Sequence, residues 1–274
     1  MEISTADVVK LRKATGAGMM DCKNALTDAE GNFDRAVEII REKGKLVASK
    51  RADRESSEGV VLAKVSADHS FGAVISLNCE TDFVAKNENF VALTHKILDQ
   101  ALSNKSNSLD AVKALVLDGR TIGEQVTEQT GIIGEKIELP FYESISAVFV
   151  VPYIHPGNKL ATLVGFNKVV DVQVGKDIAM QIAAMSPVAI DNNDVAPEIV
   201  EQELKIAKEK FRLEGKPENM LDKIAQGALN KFFKESTLLN QDFVKDNKVT
   251  IRQYLGNVDK DLKVTEIKRF TLNI

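Results

Sequence analysis

Side chains suited to acid–base, nucleophilic or metal chemistry are few in this chain of 274 residues. It has three histidines and two cysteines, and they are widely scattered: Cys22, His69, Cys79, His95 and His155. They do not show zinc-site spacing, and no Ser/His/Asp or Cys/His arrangement has supporting context. Carboxylates are plentiful but dispersed, as is typical of solvated helix faces. The sequence therefore predicts no metal, no cofactor and no covalent catalysis.

A glycine-rich stretch, Thr15-Gly16-Ala17-Gly18, is a candidate for a phosphate-binding loop. It follows a predicted helix, however, and lacks the further glycine or the Gly-Lys pair that a phosphate cradle needs. We therefore interpret it as a break between two helices.

The most informative stretch is Asn78-Cys79-Glu80-Thr81-Asp82-Phe83-Val84-Ala85-Lys86-Asn87. It places Phe83 on a loop between a predicted strand and a helix predicted from about Asn89. Loops run over protein surfaces, so such an aromatic side chain either folds back into its own core or docks on a partner. The residue types alone leave both alternatives open.

Composition restricts the class of protein. With 44% hydrophobic and 28% charged residues, the chain is long enough for one large or two to three small soluble domains. A net charge of −4 argues against a nucleic-acid binder. Two distant cysteines indicate reduced thiols, and neither a signal peptide nor a membrane-spanning apolar run is present. We expect a cytoplasmic protein that binds neither membrane nor nucleic acid.

Short amphipathic helices are predicted in the first 45 residues, from Ser4, from about Met19 to Glu30 and from Phe33 to Lys43, with Gly44 ending the last. They predict a three-helix domain at 1–45. The neighbouring residues Met19 and Met20 cannot both face its core, so we expect one of them to be exposed. Exposed methionine is common at adaptable binding surfaces. The charged segment 46–58 is predicted to be a linker or a solvated helix.

A strand hairpin followed by a helix occurs twice, about ninety residues apart. The first copy comprises predicted strands 59–66 and 71–78 and a helix at 89–102, and further helices at 109–117 and 122–130 and a strand at 136–142 follow it. The second copy comprises strands 146–153 and 159–166, with His155 in the turn, and a helix at 175–185. The repetition predicts two α+β subdomains of antiparallel sheets covered by helices, at 59–144 and 145–195.

The remaining chain begins with two charged helical patterns, Pro197–Leu213 and Asn219–Lys234, joined by a short turn. They predict a projecting antiparallel helical hairpin, or coiled coil, at 196–236. The final segment, 237–274, is predicted to add a short helix at 250–255 and a strand at 261–271 that complete the core. The predicted fold class is α+β throughout.

The chain contains two long motifs. The first comprises Leu11-Arg12, the run Thr15-Gly16-Ala17-Gly18-Met19-Met20-Asp21-Cys22-Lys23, and Ala25-Leu26; the second is Asn78–Asn87. Together they resemble the elongation factor Ts family of bacterial translation. The resemblance covers the whole chain and implies that the N-terminal domain is UBA-like. It is loosest between Ser103 and Ser144, and the chain departs from the family pattern at Asp242, where a proline is expected.

The resemblance implies a guanine-nucleotide exchange factor for elongation factor Tu, the GTPase that delivers aminoacyl-tRNA. By this resemblance, Thr81, Asp82, Phe83 and Val84 form the exchange element. Phe83 would enter the GTPase domain beside the nucleotide and, with Asp82, shift the element that positions Mg²⁺ and the β-phosphate. On this basis we expect Phe83 to be exposed.

The resemblance also implies how the partner is held. Arg12, Met19, Met20 and Lys23 would dock the small domain on a helix of the GTPase domain, and His155 would face another domain of the partner. The complex would be a heterodimer or a two-plus-two assembly. No cofactor and no enzymatic chemistry on the chain itself are implied.

Two other classes of protein remain open on the residues alone. The N-terminal helices are compatible with a ubiquitin-binding type of module on an unrelated adaptor, although the duplicated core and the Thr81–Val84 stretch argue against this. An enzyme with an unrecognised site would require a deep polar pocket with titrating groups.

Overall fold

The computed structural model describes residues 3–272. Its helices are Thr5–Thr15 (α1), Met19–Asp28 (α2), Phe33–Lys50 (α3), Asp82–Ala85 (α4), Glu88–Ser103 (α5), Leu109–Ala114 (α6), Ile122–Ile133 (α7), Val172–Met185 (α8), Pro197–Leu213 (α9), Glu218–Ser236 (α10) and Ile251–Val258 (α11). Its strands are Glu58–Val65 (β1), Phe71–Cys79 (β2), Val116–Leu117 (β3), Arg120–Thr121 (β4), Glu138–Ser146 (β5), Phe149–Ile154 (β6), Leu160–Phe166 (β7), Asp242–Phe243 (β8), Asp246–Thr250 (β9) and Val264–Thr271 (β10).

The predicted α+β class is confirmed: helix accounts for 52% and strand for 22%, and the sheets are antiparallel. The two larger sheets have the strand orders β1-β2-β5 and β6-β7-β10. In each, the second strand of a hairpin is central and a strand from later in the chain completes the sheet. The β6–β7 register runs from Phe149 opposite Phe166 to Ile154 opposite Ala161.

The chain divides into two compact units. Of the described residues, the first contains 3–62, Val74–Glu143 and 271–272; the second contains Ala63–Ala73 and Ser144–Phe270. The first unit includes helices α1 to α7, and the second includes helices α8 to α11.

Helices α1 to α3 share a small core in the first unit. Ser4 caps α1 by accepting a hydrogen bond from the Asp7 N–H, and Gly16 ends it with a φ of 74°. Buried apolar side chains from all three helices form the core: Val8, Leu11, Cys22, Ala25, Leu26 and Ala36. The predicted three helices are therefore present, although α3 extends beyond its predicted end.

The prediction that Gly44 ends α3 is wrong, since the helix continues to Lys50. Gly44 is buried and lies against Gly131 of α7, where the two helix backbones approach closely. Because glycine has no Cβ, it is suited both to a close approach of two helices and to a helix end. The crossing joins the N-terminal helices to α7.

Alanine at the two glycines of this crossing should affect stability unequally. A Cβ on Gly131 would clash with the backbone of Gly44, whereas a Cβ on Gly44 would lie 3.7 Å from the Gly131 Cα, which is ordinary contact. We expect Gly131→Ala to lower the free energy of unfolding by about 1–3 kcal/mol. Gly44→Ala should be neutral or stabilising by up to about 1 kcal/mol through helix propensity. Chemical denaturation of both variants checks this, and equal destabilisation would contradict the asymmetry.

The second unit has its own core, built from β6, β7 and α8 with residues of the C-terminal segment, including Phe243, Ile251 and Leu255. The Asp177 carboxylate of α8 accepts hydrogen bonds from Lys245 Nζ at 2.7 Å and from the Tyr254 hydroxyl at 2.9 Å. These two contacts tie the C-terminal segment to α8.

Helices α9 and α10 pack side by side as the predicted helical hairpin. Leu221, Ala225 and Leu229 are buried along α10, and Ala207 is buried on α9. Gly215, at a φ of 78°, forms the turn between the helices. That this hairpin projects from the core stays a prediction.

Three further local predictions differ from the structure. The stretch around Phe83, predicted as loop, contains the helical turn α4. The helix predicted at 109–117 ends at Ala114, and β3 and β4 follow. The sequence patterns also missed the small β8–β9 hairpin, because β8 has only two residues and the five residues of β9 are mostly polar, so neither strand carries a clear alternation of apolar and polar residues.

Candidate partner-binding site

Phe83 lies on α4 and is 83% exposed. The predicted exposure is therefore confirmed. The N-terminal cap of this turn is Thr81, whose hydroxyl accepts a hydrogen bond from the Val84 N–H at 3.5 Å. Asp82 pairs with Lys86 at 2.6 Å, four residues on. A large apolar ring is thus presented to solvent from a capped turn.

The segment before Phe83 is held by Glu135, which follows α7. The Glu135 carboxylate accepts hydrogen bonds from the Glu80 N–H at 3.1 Å, the Thr81 N–H at 3.0 Å and the Thr81 hydroxyl at 2.7 Å. Hydrogen bonds to a charged acceptor are stronger than neutral ones. Residues 80 and 81 are therefore fixed to the end of α7.

The side chain of Glu80 makes the reciprocal contact, because it accepts a hydrogen bond from the residue that follows Glu135. It accepts hydrogen bonds from the Lys136 N–H at 2.6 Å and from Arg51 Nη1 at 2.7 Å. The Lys136 N–H and the Arg51 guanidinium hold the pKa of Glu80 below its ordinary value. We call Glu80, Thr81, Glu135 and Lys136 the 80/135 contact.

A groove of about 570 Å³ lies next to Phe83. Its lining is mainly apolar and comes from several elements of the first unit: Gly16, Phe83, Val84, Phe90, Leu93 and Ile132. Gly16 belongs to the α1–α2 turn, and Ile132 belongs to α7. The structure therefore brings the two sequence motifs, around residue 16 and around residue 83, to the same groove.

The residues predicted to dock the N-terminal helices are on the surface. Met20 is 66% and Met19 38% exposed, so the prediction that one of the pair is exposed is confirmed, and both are. Arg12 on α1 and Lys23 on α2 are exposed as well. Their contribution to partner binding stays a prediction.

His155 lies exposed in the turn between β6 and β7, as predicted, and belongs to the second unit, unlike the other predicted site residues. Its Nδ1 is 2.9 Å from the Tyr153 hydroxyl. A groove of about 310 Å³ is lined by Tyr153, His155, Met180 and Val244. This turn combines apolar surface with a polar ring, and its role in binding stays a prediction.

Both cysteines are buried free thiols. Burial, and after it the nearby charge of Glu135, raise the pKa of Cys79 to about 12, and burial also raises the pKa of Cys22. We expect neither thiol to react with an aromatic disulfide reagent at pH 8, because the thiolate is the nucleophile. Both should react once the protein is unfolded in denaturant. Rapid stoichiometric labelling of the native protein would contradict this.

Sequence patterns did not identify Glu135, Glu80 or Arg51 as residues that hold the segment before Phe83 in place. Glu80 and Glu135 are 55 positions apart, so no local periodicity connects them. The one local signal is Gly134, whose φ of 81° ends α7 immediately before Glu135.

Two features of residues 3–272 bear on other functions. Among these residues, no group of histidine, cysteine, aspartate and glutamate side chains is arranged to hold a metal ion. Over the same range, every helix is too short or too polar to cross a membrane.

Comparison with known proteins places the chain in a family. The profile of the family "Elongation factor TS" matches residues 80–273. Elongation factor Ts of Azobacteroides pseudotrichonymphae is 54% identical over 275 aligned residues, which cover 100% of both chains. Its counterpart in Porphyromonas gingivalis is 54% identical over 100% of this chain and 99% of its own length. In Bacteroides fragilis the identity is 44%, over 99% of each chain. The chain therefore belongs to the elongation factor Ts family of translation elongation factors.

Proposed function

We propose that this chain is a guanine-nucleotide exchange factor that binds elongation factor Tu–GDP and promotes release of GDP, so that GTP can bind during elongation. Family membership supports binding to this GTPase. The observation that carries the exchange mechanism is the exposed ring of Phe83 on a turn whose entry is held by Glu135. Elongation takes place in the cytoplasm, where the chain would act.

In this proposal Phe83 inserts into the GTPase domain of the partner beside the nucleotide. Burying the ring there would contribute about 1.5–3 kcal/mol, which is available because the free chain leaves the ring in water. Asp82 would insert with it, after leaving its ion pair with Lys86. Thr81 would keep the turn capped, and Val84 would continue the apolar surface into the groove.

The inserted side chains would act on charge neutralisation at the partner's nucleotide site. Mg²⁺ and backbone donors neutralise the phosphates of GDP, so a shift of the element that positions them weakens GDP binding. The nucleotide and the metal ion belong to the partner. The chain contributes shape and binding energy, and no covalent step occurs on it.

Coupling between two ligands is reciprocal, so a factor that weakens nucleotide binding is itself weakened by the nucleotide. Incoming GTP would therefore displace the chain and complete the cycle.

The GTPase domain of the partner would be held by Arg12, Met19, Met20 and Lys23, and a second domain of the partner would be held by His155. A heterodimer or a two-plus-two complex is compatible with these contacts.

The domain arrangement that we propose for this function has a docking domain at 1–45, a linker at 46–58 whose first residues continue α3 as far as Lys50, core subdomains at 59–144 and 145–195, the hairpin at 196–236 and a closing segment at 237–274. Burial of Leu11 and Leu26 among the first helices supports a separate core for the docking domain.

The deciding experiment measures release of fluorescent GDP from purified elongation factor Tu of the same or a related bacterium. Catalytic amounts of the chain should accelerate release many-fold, since one molecule serves many partners. Absence of acceleration, with both proteins folded, would overturn the proposed exchange function.

A further inference from the structure

The helical turn α4 cannot by itself fix the direction in which its Phe83 side chain points. With four residues, α4 is far shorter than a helix that is stable in isolation. The exposed Phe83 ring contributes little packing to its own chain. The direction in which Phe83 points must therefore be set by what holds the backbone of residues 80 to 84.

Glu135 holds that backbone through both of its carboxylate oxygens. Oε2 accepts the consecutive N–H groups of Glu80 and Thr81, and Oε1 accepts the Thr81 hydroxyl proton. Two adjacent peptide units and one side chain are thus fixed by a single charged group. This arrangement constrains the direction in which the chain enters α4.

Glu135 also orients the cap of α4. A threonine hydroxyl has one proton and two lone pairs. Because the proton of Thr81 is donated to Glu135, its lone pairs face the other way and accept the Val84 N–H. Loss of Glu135 would leave this hydroxyl free to rotate, and the cap would weaken.

Glu135 is itself held in place. The residue before it, Gly134, donates its N–H to the Thr130 carbonyl at 2.9 Å. The residue after it, Lys136, donates its N–H to the Glu80 carboxylate. Helix α7, which ends there, packs on α3 through Gly131 and Gly44. The 80/135 contact therefore connects Phe83 to the same helix against which the N-terminal docking helices pack.

We propose that Glu135 is a positioning residue for Phe83. Glu135 fixes the turn, so that the ring enters the partner without first sampling other backbone conformations. This inference rests on the proposed exchange function. Preorganisation of this kind lowers the cost of binding at the inserted group and leaves the remaining interface unchanged.

The kinetic test compares Glu135→Ala with Glu124→Ala. Glu124 lies in the first turn of α7 and accepts hydrogen bonds from the N–H and the hydroxyl of Thr121, at 3.0 and 2.9 Å. It therefore makes the same kinds of hydrogen bond as Glu135 but does not contact residues 80 and 81. We expect Glu135→Ala to lower the maximal rate of stimulated GDP release about tenfold or more. The half-saturating concentration should change less than about threefold. Glu124→Ala should retain the wild-type maximal rate.

A double-mutant cycle separates positioning from general stability. On a Phe83→Ala background, Glu135→Ala should add little further loss, because the group that it positions is absent. Glu135→Gln keeps an acceptor for the two N–H groups and should restore part of the rate. Losses that multiply in the double variant would show that Glu135 acts independently of Phe83 and would overturn the inference.

Amide hydrogen exchange of the free chain supplies a readout that does not depend on the partner. In Glu135→Ala, the Glu80, Thr81 and Val84 amides should exchange at least about tenfold faster, while core amides of β2 and α5 stay protected. Unchanged exchange at these three amides, or a wild-type rate of GDP release, would overturn the inference. A wild-type chain that fails to accelerate release would instead overturn the proposed function, and the amides would still report whether Glu135 holds the turn.

Discussion

Phe83→Ala is expected to slow partner-stimulated GDP release by about 10- to 100-fold, while the free energy of unfolding changes by less than about 0.5 kcal/mol. The ring is 83% exposed in the free chain, so its removal leaves no cavity and exposes no core. In the complex, however, it would remove about 1.5–3 kcal/mol of burial beside the nucleotide, and each 1.36 kcal/mol changes the rate tenfold.

Phe90→Ala is the matched control. Phe90 lines the same groove, seven positions along the chain, but is only 3% exposed. Its truncation should cost about 3–5 kcal/mol of stability because it creates a cavity. Stopped-flow release of fluorescent GDP and thermal unfolding distinguish the two variants. A Phe83→Ala protein that loses stability as Phe90→Ala does, or that releases GDP at the wild-type rate, would exclude Phe83 as the inserted group.

The sequence predicts well those elements whose ends are marked by local chemistry. The bounds of α9, Pro197–Leu213, agree with the predicted ones because a proline occupies its first turn and Gly215 follows its end. The exposure of Phe83 followed from a family resemblance and is confirmed by the structure. The residue types alone favoured a buried Phe83, because a large apolar side chain usually packs in its own core and a polar neighbourhood does not say where a ring points.

The predictions that failed depend on contacts between distant parts of the chain. Gly44 continues α3 because Gly131, 87 positions later, requires a close backbone approach. The backbone at Glu80 and Thr81, which leads into the turn α4, is held by Glu135, and no local pattern indicates this contact. The groove beside Phe83 combines residues from the α1–α2 turn, α4, α5 and α7. Local propensity predicts elements, whereas the geometry of the candidate site follows from tertiary packing.

Met20→Glu is expected to weaken binding of the chain to elongation factor Tu by about 30-fold or more. A side chain that is 66% exposed in the free chain and buried in a complex acts as an apolar anchor, and loss of such an anchor costs about 2 kcal/mol or more. A carboxylate at this position would also have to be desolvated. Since the residue does not belong to the core of the small domain, thermal unfolding should stay close to that of the wild type.

Lys23→Glu, on the same helix, should lower the association rate more than it raises the dissociation rate, and added salt should reduce the difference. Lys50→Glu makes the same charge change at the exposed end of α3 and serves as the control. Calorimetry with the nucleotide-free partner measures affinity, and stopped-flow mixing measures association. Wild-type binding by both Met20→Glu and Lys23→Glu would exclude α2 as the docking surface.

Docking and exchange should separate kinetically if Met20 and Phe83 have these two roles. Excess Met20→Glu protein should approach the wild-type maximal rate of GDP release, because saturation compensates for an affinity lost equally in ground and transition states. Phe83→Ala should remain slow at saturation, because its contact is made only as the nucleotide site is disturbed. A plot of release rate against factor concentration therefore assigns each residue to its role. Identical curves for the two variants would show that docking and insertion are a single event.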